Sequence, residues 1–228
     1  MTDTLLLAAM LIPCLIVAIV FHEVAHGWTA LALGDPTAKE RRRLSLNPLR
    51  HVDPVGTLLV PGGLALAGAP IFGWAKPVPV NQRRLDNPRF GMMAVAAAGP
   101  GTNLLLAAIA AIVIGASGMT GEVFSAEMLS GEGSILASLL TYFLLINIFL
   151  AVFNMLPIPP FDGSHIVEGL LPRRLARAYG KARPFGMVLF FGLIALVWFW
   201  PELRLFERLF FPPVEWVLNR YMELALLF

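Results

Sequence analysis

Apolar side chains run along this chain in long stretches, separated by short polar segments rich in Pro, Gly and basic residues. The first stretch, residues 5–33, holds one charged side chain, Glu23. A helix needs about 20 residues to cross a bilayer's hydrocarbon core. The stretch therefore predicts a membrane span, ended by Gly34-Asp35-Pro36. Comparable stretches predict spans over 90–116, 135–156 and 185–200. Val55 to Phe72 is also apolar, but Pro61, Gly62, Gly63, Gly68 and Pro70 interrupt it. These breakers argue against a regular span. They predict a short re-entrant or β-hairpin segment buried against protein. Gly73 to Val80 reads as extended, because residues before Pro avoid the α region. Pro157, Pro159 and Pro160 break the helix ahead of Asp162. In the tail, Pro212-Pro213 splits the sequence. Val214, Val217, Leu218, Tyr221, Leu224 and Ala225 then recur at helical spacing. That pattern predicts a C-terminal amphipathic helix over 213–227, lying on the membrane or packed on the bundle. The expected fold is an all-α membrane protein of about four transmembrane helices, forming one membrane-embedded domain over 1–228.

Composition agrees. The apolar fraction is 57% and only 14% of residues are charged, whereas soluble domains carry about 25% charged residues. The net charge of +2 comes without any basic nucleic-acid-binding module, so nucleic acid is not an expected partner. The basic residues are topology signals instead. Residues 34–89 hold nine Lys or Arg, residues 171–184 hold five, and residues 117–134 hold none. By the positive-inside rule the first two segments face the cytoplasm and the third faces outward. The first span then runs inward, the second outward and the third inward again. The N-terminus has no basic region of the kind that opens a signal peptide. The lone Cys14 allows no intramolecular disulfide.

The chemistry centres on His22-Glu23-Val24-Ala25-His26. Histidines at i and i+4 share a helix face and can reach one metal ion, while Glu23 is a base for water at that metal. A charge at membrane depth costs at least about 2.5–3.5 kcal/mol on insertion scales. Three ionisable groups within five residues of a span therefore need a compensating partner, and a divalent metal is the most economical one. A catalytic zinc usually takes three protein ligands and leaves one position open. Asp162 is the preferred third ligand, because the prolines before it and Gly163 after it could swing a carboxylate into the bundle. The first and third spans both end on the inner side, which brings Asp162 and the histidines to one depth. The rival reading makes Asp162 a simple turn cap, and His51 and His165 are rival ligands.

These residues resemble the site-2 protease family of intramembrane zinc metalloproteases, in its short prokaryotic form without a PDZ domain. The likeness rests on the HExxH motif, on Ser45 to Pro54, on Phe72 to Asn81, on Gly99-Pro100-Gly101-Thr102-Asn103 and on Asn154 to Gly163. Phe161 stands where relatives often carry Leu. The resemblance implies a three-helix catalytic core that hydrolyses peptide bonds in or near transmembrane segments, in regulated intramembrane proteolysis. It implies one zinc ion per chain on His22, His26 and Asp162, with Glu23 as general base. It further implies Asn154 as a catalytic group towards the substrate carbonyl and Asn103 in a supporting role towards substrate. The expected setting is a prokaryotic cell membrane with the site towards the cytoplasm. The expected partners are the lipid bilayer and transmembrane substrates. A strand edge in 55–80 could capture an unwound substrate. A non-catalytic zinc-binding adaptor would not need Glu23, and a zinc transporter would want ligands in several spans.

Overall fold

The computed structural model describes residues 2–66, 75–123, 125, 134–181 and 183–228. Helix α1 covers Thr2–Ala32. Gly34 ends it with a left-handed φ of 98°, and the Asp35 N–H donates back to the Ala30 carbonyl at 2.9 Å. This is the glycine stop that the sequence predicts. A short helix, α2, follows over Thr37–Glu40.

The segment after Asp53 departs from expectation. The Asp53 carboxylate accepts the N–H groups of Val55 and Gly56, and Pro54 starts a π-helical turn over Pro54–Leu59. The turn leads directly into α3, Val60–Leu66. The expected β-hairpin is therefore not supported, since residues 54–66 are helical. A capping carboxylate and a proline in the first turn outweigh Gly62 and Gly63. Pro61 follows the π-turn, a local widening that lets a helix absorb an irregularity. Residues 67–72 of the expected hairpin lie outside the described residues. Among those described there is no strand, so capture of substrate on a hairpin edge has no support here. Of the expected extended stretch Gly73 to Val80, residues 73 and 74 lie outside the described residues, and Ala75 to Val80 has neither helix nor strand.

Helix α4, Pro88–Ala116, starts at an Asn87 cap with Pro88 in its first turn. Helix α5 covers Ile135–Asn154, capped by Ser134. It is followed by α6 over Asp162–Leu170, α7 over Arg173–Lys181, α8 over Gly186–Phe199 and α9 over Leu205–Ala225. Among the described residues four segments are long and apolar enough to cross a membrane: Leu5–Ala32, Pro88–Ala116, Ile135–Asn154 and Arg173–Phe199.

Helix α4 is the hub, touching α1, α5, α6 and α9. Its buried face is built from small residues, including Ala96, Gly99, Ala107, Ala110, Ala111 and Gly115. Lipid gives helices no hydrophobic reason to associate, so close backbone approach through small residues replaces it. Helix α8 contributes little to this core. Phe185, Val188, Leu189 and Phe199 stay exposed and face the hydrocarbon in a membrane.

Pro212-Pro213 does not split the tail, because α9 runs through both prolines as one helix. Packing holds it. Phe210 is buried against Phe149, Phe153 and Phe206. Val214, Val217, Leu218 and Tyr221 pack on the core. Neighbouring helices and local adjustment make such a break tolerable in a membrane bundle.

Candidate metal centre

The last third of α1 carries His22 and His26 on one face, both buried, at 6% and 8% exposure. They lie 10 and 6 residues before its end at Ala32, which is about 15 and 9 Å along the axis. Asp162 reaches the same place from the first residue of α6. The three prolines between α5 and α6 interrupt the chain so that α6 can turn back against α4. Gly163 makes the turn possible by lacking a side chain. A Cβ there would collide with the Met155 and Leu156 carbonyls. Its role is thus close backbone approach rather than an unusual φ.

The ligand atoms form a tight triangle. His22 Nε2 and His26 Nε2 are 3.0 Å apart. The Asp162 Oδ2 atom lies 3.2 Å from the first and 3.3 Å from the second. Four ligands bonded tetrahedrally to zinc at about 2.0–2.1 Å would lie roughly 3.3–3.4 Å from one another. The fit is close.

The surrounding hydrogen bonds fix which nitrogen of each ring carries its proton. His26 Nδ1 lies 2.7 Å from the Val95 carbonyl, which can only accept, so Nδ1 is the protonated nitrogen. His22 Nδ1 lies 2.6 Å from Asn103 Oδ1. The Asn103 orientation is itself set, because its Nδ2 donates to the Ala18 carbonyl at 3.2 Å and to Asn147 Oδ1 at 2.9 Å. Asn147 in turn donates to the Phe143 carbonyl. With each Nδ1 committed to a carbonyl oxygen, the Nε2 atom of both rings points at the centre. Asp162 Oδ2 is buried with no hydrogen-bond partner. Two imidazole nitrogens and a carboxylate oxygen converge, and one cation would satisfy all three. His22, His26 and Asp162 can thus hold a metal ion. Gly99 on α4 makes room, since a Cβ there would lie 2.5 Å from His26 Nε2 and 2.6 Å from His22 Cε1.

Glu23 is half-buried. Its Oε2 accepts the Val78 N–H at 2.7 Å. The irregular segment bearing Val78 is tied down on both sides. Arg43 Nη2 donates to the Lys76 carbonyl at 2.6 Å, and the Asn81 N–H donates to Asp35 Oδ2 at 2.5 Å.

The remaining candidates fall elsewhere. Asn103 is fully buried, and both ends of its amide are occupied by the protein behind His22. Asn154 closes α5 and donates to the Leu150 carbonyl at 3.0 Å. Among the described residues no hydrogen bond links it to the three ligands. His51 is buried and bonds the Ser45 carbonyl through Nε2 at 2.7 Å, tying its own loop. His165 Nδ1 faces Arg183 Nη2 at 2.7 Å. Burial lowers its pKa, and the nearby Arg183 charge lowers it further, to about 4. His165 is therefore neutral at pH 7, with Nδ1 engaged away from the centre.

The sequence reading missed Asn147 and the Val95 carbonyl. An amide seven residues before Asn154, in an otherwise apolar span, is the signal that could have found Asn147. A main-chain acceptor such as Val95 leaves no trace in sequence.

The family model described as "Peptidase family M50" matches residues 10–198. YwhC of Bacillus subtilis (strain 168), whose name calls it a candidate zinc metalloprotease, is 38% identical over 183 residues, covering 80% of this chain and 78% of that protein. Rip2 of Mycolicibacterium smegmatis, named in the same way, is 26% identical over 207 residues, or 88% of this chain and 70% of that protein. Rip2 of Mycobacterium tuberculosis (strain ATCC 25618 / H37Rv) is 28% identical over 185 residues, or 78% of this chain and 64% of that protein. No solved structure matches the chain.

Proposed function

The chain belongs to peptidase family M50, and from that premise we propose that it is an intramembrane zinc metalloendopeptidase, hydrolysing peptide bonds in or near the transmembrane segments of other membrane proteins. One observation carries the reading. Two Nε2 lone pairs and a buried carboxylate oxygen converge within 3.3 Å in a helix bundle made for lipid, and a glutamate adjoins them in sequence.

His22, His26 and Asp162 hold one zinc ion per chain. Zinc bound there supplies Lewis acidity, polarising a carbonyl oxygen and making water acidic near neutral pH. Glu23 is the general base. Its Oε2 is held by the Val78 N–H, which leaves Oε1 to take the proton from the attacking water. Asn154 spends one amide N–H on Leu150. Its second N–H donates to the substrate carbonyl oxygen as negative charge develops. Asn103 acts behind His22, holding the ring's tautomer and direction. The site lies towards the cytoplasmic side of a prokaryotic cell membrane, where water enters, a reading supported by the basic loops and by the bacterial relatives.

The test compares native protein with Glu23→Gln and Asp162→Ala, reading metal content by elemental analysis and cleavage of a model transmembrane substrate. Glu23→Gln should keep stoichiometric zinc and lose about 10²–10⁴-fold in cleavage. Asp162→Ala should lose zinc. Full cleavage by Glu23→Gln defeats the mechanism.

A further inference from the structure

A cavity of about 420 Å³ opens where α4 begins and α6 meets α7, lined by Gln82, Arg89, His165, Glu168, Arg173 and Arg177 among others. Its charges are unbalanced. The one carboxylate, Glu168, is already paired with Arg183. Among the described residues Arg89, Arg173 and Arg177 form no ion pair. Arg89 Nη2 spends itself on the Gly169 and Leu171 carbonyls, and its buried Nε has no partner. Arg177 donates only to the Arg173 carbonyl, at 3.3 Å. His165, neutral at pH 7, adds a polar group and no compensating charge. Three guanidinium groups around one opening repel each other and offer planar forks that match a phosphate.

The position specifies which phosphate. Arg89 is the second residue of α4, a candidate span, and Arg173 opens the candidate span Arg173–Phe199. The cavity thus sits where two spans meet the polar boundary, on the face that bears the basic loops. Further along the same candidate span, Phe185, Val188 and Leu189 are exposed and apolar, as an acyl chain requires. Basic pockets between spans at this level hold anionic headgroups. We propose that this cavity binds the phosphodiester headgroup of an anionic phospholipid, with Arg89, Arg173 and Arg177 as its anion contacts. Bound there, the headgroup bridges the starts of α4 and α7 across α6, the helix that begins with Asp162.

The test titrates full-length protein in neutral detergent with short-chain phosphatidylglycerol, with phosphatidylcholine of equal chain length and with inorganic phosphate, reading bound lipid by native mass spectrometry. Native protein should bind phosphatidylglycerol at least tenfold tighter than phosphatidylcholine. Arg173→Gln/Arg177→Gln should lose about 25-fold, roughly fivefold per basic residue near an anionic surface. Both arginines are exposed, so the fold survives their removal. Arg174→Gln, on the same helix but outside the cavity lining, should bind like native protein. An equal loss in Arg174→Gln overturns the proposal, since binding would then follow charge in general. So does equal affinity for the two lipids. Inorganic phosphate binding as tightly as phosphatidylglycerol, or displacement of the lipid by an acidic peptide at equal concentration, assigns the cavity to another ligand and equally overturns it.

Discussion

Replacing Asn103 by Ala separates a support for the metal site from a group that meets substrate. Asn103 Oδ1 is the acceptor for His22 Nδ1 at 2.6 Å, and its removal leaves that N–H without a partner in a fully buried place. Partners of this kind orient a metal-binding imidazole, and losing one typically costs 10–100-fold in metal affinity. That is about 1.4–2.7 kcal/mol. Asn147 Oδ1 also loses its donor, at about 1–3 kcal/mol of stability, while the Ala18 carbonyl keeps its helical partner. The variant should therefore melt lower, and affinity must be read below its transition. Competition with a chromophoric zinc chelator on detergent-solubilised protein gives the dissociation constant. We expect it to rise 10–100-fold in Asn103→Ala and to stay native in Asn154→Ala, whose loss should appear in cleavage alone. Native zinc affinity in Asn103→Ala together with lost cleavage would refute the assignment and return Asn103 to the substrate.

Two further substitutions probe the same frame. Gly99→Ala drives a Cβ to within 2.5 Å of the His26 ring, so it should displace the imidazole and cost about 1–3 kcal/mol in overpacking. Elemental analysis should find less than stoichiometric zinc, and full occupancy would show that α4 is not packed so tightly on the ligands. Asp35 has an ionisation that stabilises the fold. Burial raises its pKa, but the Thr37 hydroxyl, the Asn81 and Thr37 N–H groups and the Arg84 charge outweigh burial and hold it below the ordinary carboxylate value. Its contribution is thus complete above about pH 4 and disappears as pH falls through the lowered folded value. Asp35→Asn should cost about 1.5–3 kcal/mol at pH 7 and flatten the acid limb of a melting-temperature profile, and an unchanged profile contradicts this account.

The spans were legible because lipid imposes one rule on a long segment, that every residue facing it be apolar. Residues 5–33 obey that rule with Glu23 as the lone charge, and α1 ends at Ala32. The two histidines were legible for the converse reason, since polar groups at that depth need an explanation. Residues 54–66 were misread because Pro and Gly were weighed as breakers, whereas Asp53 capping two N–H groups decides the local structure. Pro212-Pro213 misled in the same way, because aromatic packing around Phe210 lies far away in sequence. Asn103 was found, but its partner was not, since only the three-dimensional arrangement puts His22 Nδ1 in front of it.

Glu23 and the loops are mechanically connected. Glu23 sits one residue from His22, yet what orients its carboxylate is the Val78 N–H, 55 residues away. Val78 has no regular structure to hold it. It is held because Arg43, buried at 9% exposure, grips the Lys76 carbonyl, and because Asp35 accepts the Asn81 N–H. Asp35 in turn is fixed by the turn that ends α1, through its N–H on Ala30. The loop that follows the metal-ligand helix thus folds back and sets the direction of that helix's own acid. A buried arginine and a buried aspartate in a basic loop are costly unless partnered, and here Arg43 Nη2 and Asp35 Oδ2 meet the backbone on either side of the residue that aims Glu23.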